Sequence, residues 1–168
     1  MRNNSVIALV SALILVASTS VALAAKSDKK FMKDAIQGNN SEVQLGELAQ
    51  QNGAAQEMRN FGKTLSDDHA AANEKAVPIA RSMDINPPTT MTAEAQNEKQ
   101  KLEKLSGDAF DREFANYMVK DHKNDIQEFQ RQANGSGEVA NFAQENLPTL
   151  KKHLEIAQSL STANSAHQ

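Results

Sequence analysis

The 168-residue chain has no cysteine and no tryptophan, a single tyrosine, four prolines and seven glycines. Each shortage excludes something. Without thiols there is no disulfide framework, no lipid attachment through cysteine and no thiolate metal site, so a bound metal would take nitrogen and oxygen donors. Six phenylalanines and one tyrosine are the whole aromatic set, too few for the stacking platforms of a sugar or base binder. Positive charge is not in excess either, with 18 Lys and Arg against 21 Asp and Glu. The lysines are scattered through acidic and amide-rich segments, so no nucleic acid is expected as a partner. No segment alternates apolar and polar residues as a strand does, and β-branched residues are sparse beyond the N-terminus.

What is present begins with a leader. The opening, "MRNNSVIALVSALILVASTSVALAAKSDKK", carries Arg2, an apolar run from Val6 to Val16, and Ala22-Leu23-Ala24 in the small-x-small form that signal peptidase accepts. The run is broken by Ser18, Thr19 and Ser20, and it falls short of the roughly 20 apolar residues of a spanning helix. Residues 1–24 therefore read as a cleaved signal peptide, with a periplasmic or secreted product that does not insert into the membrane. Loss of Arg2 leaves 17 basic against 21 acidic residues, a net charge of −4. Residues 25–161 form the expected domain, and 162–168 read as a disordered tail that includes His167.

The domain is predicted to be all helix. A first helix is expected from about Asp28 to Asn52, with Phe31, Ala35, Gly38, Glu42, Leu45 and Ala49 on one stripe and Gly53 at its end. A second runs from near Ala54 to about Met83 with Met58, Gly62, Leu65, His69, Ala72, Ala76, Ile79 and Met83 as its seam; Pro78 bends it and "NPPTT" stops it. A short charged connecting helix follows, capped by Thr92 and ended by Gly107. The third long helix, about Asp108 to Ala133, buries Phe114, Ala115, Met118, His122, Phe129 and Ala133. After the "NGSG" turn, the last runs from about Glu138 to Leu160, with Val139, Phe142, Ala143, Leu150 and Ala157 inward and His153 at the edge of the stripe. Four long amphipathic helices and one crossover predict a ferritin-like four-helix bundle.

Within that pattern, histidine stands where leucine or alanine is due. "FGKTLSDDHAAANEK" and "FANYMVKDHKNDIQEF" each place Asp-His so that the histidine lies eight residues after a phenylalanine. His69, His122 and His153 fall mid-helix on the inward faces of three helices, and Glu42 on the stripe of the fourth. Burying a polar group without a partner costs several kcal/mol, and four such burials would consume the ~5–15 kcal/mol net stability of a domain. The four groups must satisfy one another or share an ion. Imidazole and carboxylate suit a single divalent transition metal, zinc or copper ahead of iron; a metal-free hydrogen-bonded cluster is the alternative. Acid should release such an ion as imidazoles protonate near their usual pKa of about 6.5.

Around these residues, Asp68 and Asp121 lie one position before a histidine, about 100° of helix rotation away. Each can meet a histidine of a neighbouring helix and orient it, or pair with Lys or Arg at the boundary. Asp125, three after His122, and Asn73, four after His69, share their histidines' faces as weaker candidates. Met58, Met83 and Met118 read as core.

"GNNSEVQLGELAQ", "FGKTLSDDHAAAN", "KLSGDAFDREFANYMVKDHKNDIQEF" and "FAQENLPTLKKHLEIAQSL" resemble the secreted bacterial family termed domain of unknown function 4142, often labelled predicted outer membrane protein and placed among ferritin-like bundles. The resemblance spans about Lys30 to Leu160. It implies the fold, export, and a core site at Glu42, His69, His122 and His153, and little about a reaction. The chain departs from di-iron ferritins, whose sites use paired Glu-x-x-His motifs: Ser66, Val119 and Leu150 stand three before the histidines. Three imidazoles and one carboxylate favour one ion over a bridged pair.

Two function classes follow. One is an envelope protein that holds a metal for structure, buffering or stress protection, with a closed four-ligand site and no catalytic residue. The other is a small-molecule metalloenzyme, which needs an open coordination position. A metal-free interaction module is the third reading; protein partners and oligomeric state are not legible, nor is the pairing order of the helices.

Overall fold

The computed structural model describes the backbone of residues 6–165 and the side chains of residues 27–163. The described residues form five helices: α1 (Val6–Asn52), α2 (Gln56–Ser82), α3 (Ala93–Leu102), α4 (Gly107–Ala133) and α5 (Glu138–Ser165). Alanine, leucine, glutamine, glutamate and lysine dominate them, the residues that lose least freedom in a helix. Their ends follow local chemistry. Gly53 donates its N–H to the Ala49 carbonyl at 2.9 Å as α1 closes, and the Thr92 hydroxyl accepts from the Ala95 N–H at the start of α3. Asp84, in the left-handed region at φ 57°, stops α2 just before the proline pair; the short Asp side chain tolerates that backbone.

Three boundaries differ from expectation. α1 starts at Val6 rather than near Asp28, because the Ala- and Leu-rich leader continues the same helix. α3 ends at Leu102, its last turn tightened by Lys104 and Leu105 N–H bonds to the Lys101 and Leu102 carbonyls; Gly107, at φ 59°, opens α4 instead of closing α3. α5 continues through Ser165, past the expected end at Leu160, while His167 lies outside the described residues.

α1 and α2 form one antiparallel hairpin and α4 and α5 another. The hairpins meet with α1 against α4 and α2 against α5. Phe31 touches Phe129 and Glu42 approaches His122, so α1 and α4 run in opposite directions. Phe61 with His153 and Lys75 with Glu145 make the same statement for α2 and α5. α2 and α4 therefore run parallel, and the connection between them travels the length of the bundle. Side-chain amides pin it to α1: Gln37 donates to the Met91 carbonyl at 3.0 Å and Asn40 to the Pro88 carbonyl at 2.9 Å. This arrangement settles the helix pairing that periodicity left open.

The apolar core is in two halves. One gathers Leu45, Phe61, Leu65, Phe110, Phe114 and Met118; the other gathers Phe31, Ile36, Ile126, Phe129, Phe142 and Leu150. Between them, one helical level carries buried Asn39, Glu42, His69, His122 and His153. A close approach beside that level sets its geometry. A Cβ at Gly46 would lie 2.5 Å from the Gly62 carbonyl oxygen, and one at Gly62 would lie 2.6 Å from that of Gly46. Only glycine at both positions lets the α1 and α2 backbones touch, one turn past Glu42 and two turns before His69.

Candidate metal centre

Each histidine comes from a different helix: His69 from α2, His122 from α4 and His153 from α5. They are 4 %, 0 % and 0 % exposed; His153, expected at the edge of its stripe, is wholly inside because α2 packs over it. Ring centroids are 5.9 Å apart for His69 and His122, 5.4 Å for His69 and His153, and 5.3 Å for His122 and His153. One ring nitrogen from each lies within 4.8 Å of the others. Three imidazoles thus converge between the halves of the core.

Their outer nitrogens are held by acceptors. His69 Nδ1 lies 2.9 Å from the Asn39 amide oxygen, His122 Nδ1 lies 3.1 Å from the Met118 carbonyl oxygen, and His153 Nε2 lies 2.8 Å from Asp68 Oδ2. Each of those oxygens only accepts, so each outer nitrogen carries the proton and each inner nitrogen presents a lone pair. Asn39 is itself oriented: its amide NH2 donates to Asn73, whose NH2 donates to Asn40. The inner nitrogens have less. His122 Nε2 and His153 Nδ1 face one another at 3.3 Å, and His69 Nε2 is buried with no hydrogen-bond partner.

Protonation is a poor remedy. Burial, and then the neighbouring histidines, push His69 well below the ordinary imidazole range. Burial and then His153 bring His122 down to about 3, against the opposing pull of the Met118 carbonyl. Burial lowers His153 as well, although Asp68 works the other way. Three neutral rings in a buried site, each with its lone pair inward, form a nitrogen donor set suited to zinc, copper or iron.

Glu42, 1 % exposed, does not join this triad. Its Oε1 is 3.8 Å from Nδ1 of His122, the nitrogen turned away from His153. There it forms a second group with Asp121 and His122, whose donor atoms also lie within 4.8 Å of one another. Neither Glu42 oxygen receives an N–H or hydroxyl donor. Burial first, then the negative charge of Asp121 and a carboxyl–carboxyl contact with it, then the charge of Asp125, hold its carboxyl well above the usual range. Burial also raises Asp121 and Asp125.

Of the residues singled out from sequence, the structure brings His69, His122 and His153 together, with Asp68 bonded to a histidine of the neighbouring helix. Asn73 stands one amide back from His69, and Asp121 gathers with Glu42 and its own helix's His122 rather than with a histidine of a neighbouring helix. Asp125 lines a small cavity with Phe31, Gly38 and Asn39. Asn39, which holds His69, was missed. Its signal was faint: an amide on the inward stripe of α1, three residues before Glu42.

The chain is similar in fold to the structure described as "Crystal structure of DUF305 fragment from Deinococcus radiodurans", at 12 % identity and a TM-score of 0.73, over 82 % of this chain and 96 % of that one. No curated protein matches it. A family model described as "Domain of unknown function (DUF4142)" matches residues 16–160. The chain, with three histidines converging in its core, belongs to that domain of unknown function DUF4142 family.

Proposed function

We propose that the protein is an exported, ferritin-like bundle that holds one transition metal ion, zinc or copper ahead of iron, on His69, His122 and His153, for metal handling or stress protection in the cell envelope. The observation that carries this reading is the unpartnered His69 Nε2 beside the facing pair of His122 and His153 nitrogens. A proton between His122 and His153 would satisfy those two and leave His69 unmet, at about 1–3 kcal/mol for a buried orphan. One ion satisfies all three. The outer hydrogen bonds fix each ring and raise its basicity, as expected around a bound ion. Export rests on the leader, and no helix among the described residues is long and apolar enough to cross a membrane.

A second reading, a small-molecule metalloenzyme, gains from one feature. Three protein nitrogens without Glu42 leave a fourth position for water or substrate, as in catalytic zinc sites. The depth of the triad works against it, since a substrate would need the bundle to open. Protein purified from periplasm without chelator should carry about one equivalent of metal, and H69A/H122A should carry none. A wild type that is empty and refuses zinc, copper and iron would overturn the reading in favour of a metal-free interaction module. A bound solvent molecule that exchanges with small anions would favour the enzyme.

A further inference from the structure

We propose that Glu42 and Asp121 form a second cation site, separate from the three-histidine pocket, that takes a hard divalent cation such as manganese(II) with Nδ1 of His122 as its third donor. Glu42 is 1 % exposed and neither of its carboxyl oxygens receives an N–H or hydroxyl donor; the group it meets is the Asp121 carboxyl. Oxygen Oε1 is aimed at His122 Nδ1, 3.8 Å away, and the Asp121 carboxylate completes a group of donors within 4.8 Å of one another. Among the described residues no ion pair joins a Lys or Arg to Glu42 or Asp121; Lys120, whose charge lowers Asp121, pairs with Glu94 at 2.7 Å. Two carboxylates and one imidazole are a donor set that manganese(II) accepts more readily than copper, whereas the triad is all nitrogen.

A groove lies beside the site, one helix position from Asp121 at Lys120. About 750 Å³ in volume and set between α3 and α4, it is lined by Glu94, Glu98, Glu113 and Tyr117 together with Lys101 and Lys120, which pair with Glu113 and Glu94. Glu98 Oε1 lies 4.0 Å from the Lys101 ammonium there, and the Tyr117 hydroxyl feels the charges of both Asp121 and Glu42.

His122 couples the two sites. With Nδ1 protonated and bonded to the Met118 carbonyl, it offers Nε2 to the triad. With the proton on Nε2, donated to His153 Nδ1 at 3.3 Å, it offers Nδ1 to Glu42 and Asp121. A neutral imidazole has one lone pair, so it serves one site at a time. This coupling, unlike the second site itself, rests on the triad being a metal site.

Manganese(II) binding followed by loss of its free electron paramagnetic resonance signal tests the proposal, with circular dichroism to confirm that each variant is folded. Wild type and H69A/H153A should each bind one manganese(II), E42Q and D121N should bind it at least tenfold more weakly, and zinc bound beforehand should weaken manganese(II) in wild type alone. Manganese(II) binding unchanged in both E42Q and D121N would overturn the site, as would no binding at millimolar concentration. Loss in H69A/H153A would also overturn it, by returning Glu42 to a single shared centre. Failure of the triad reads differently: zinc would not bind wild type, and manganese(II) would.

Discussion

Asp68 Oδ2 on α2 lies 2.8 Å from His153 Nε2 on α5 and turns that ring so that Nδ1 faces inward. The aspartate is 42 % exposed while its histidine is fully buried, so it can be removed without opening the core. Asp68→Ala should weaken metal binding about 10–100-fold, the usual effect of losing a group that orients a ligand. Asp68→Asn, which still accepts from Nε2–H, should recover part of the loss. Competition against a chromophoric chelator measures both, and equal affinity in all three proteins would contradict an orienting role.

The metal-free protein should be most stable in mildly acidic solution. For the histidines the folded pKa lies below the ordinary imidazole value of about 6.5. As pH falls below that value the unfolded chain takes up protons that the folded one refuses, and stability falls. For Glu42 the folded pKa lies well above the ordinary carboxyl value of 4.5, so stability contributed by its protonated form is lost as pH rises from there. With Asp121 and Asp125 raised beside Glu42, three carboxyls oppose three imidazoles, and the maximum lies between about 4.5 and 6.5. Urea midpoints of chelated protein across pH should show it, with Glu42→Gln flattening the alkaline side; a wild-type maximum at pH 8 would contradict this assignment.

Metal should leave in acid by a different route from the one sequence suggests. Isolated imidazoles would release an ion near pH 6.5, but burial holds His122 down to about 3. The folded protein should keep its ion well below 6.5 and lose it together with its helical circular dichroism signal. Release complete at pH 6 with the helices intact would contradict the burial argument.

Gly46→Ala and Gly62→Ala should each destabilise the bundle by about 1–3 kcal/mol or more, because the new methyl meets backbone of the facing helix. Gly38→Ala, with nothing within 4 Å of its Cβ, should stabilise α1 by up to about 1 kcal/mol through helix propensity. Thermal unfolding distinguishes them. Gly46→Ala at wild-type stability would mean that α1 and α2 are farther apart than described.

Which of these features were legible in the sequence depends on how local their causes are. The helices were, since residues such as Leu65, His69, Ala72 and Ala76 repeat at helical spacing over long stretches, and so was the depth of His69 and His122. Glu42 was read correctly as buried, but the direction of its carboxyl depends on the rotation and approach of α1 against α4, which no spacing along α1 encodes. His153 looked like an edge residue because the stripe of α5 was drawn without knowing that α2 lies over it. The contact of Gly46 with Gly62 is a relation between two helices, so neither glycine announces it alone. The proton pattern of the triad needed the partners themselves, Asn39 above all.

X-ray absorption at the metal edge of the zinc-loaded protein tests the three-imidazole centre most directly. The account predicts three imidazole nitrogens at about 2.0 Å with one further light donor, the zinc–nitrogen distance being that of ordinary tetrahedral sites. A spectrum fitted by one imidazole or none, with carboxylate or water oxygens filling the shell, would contradict it.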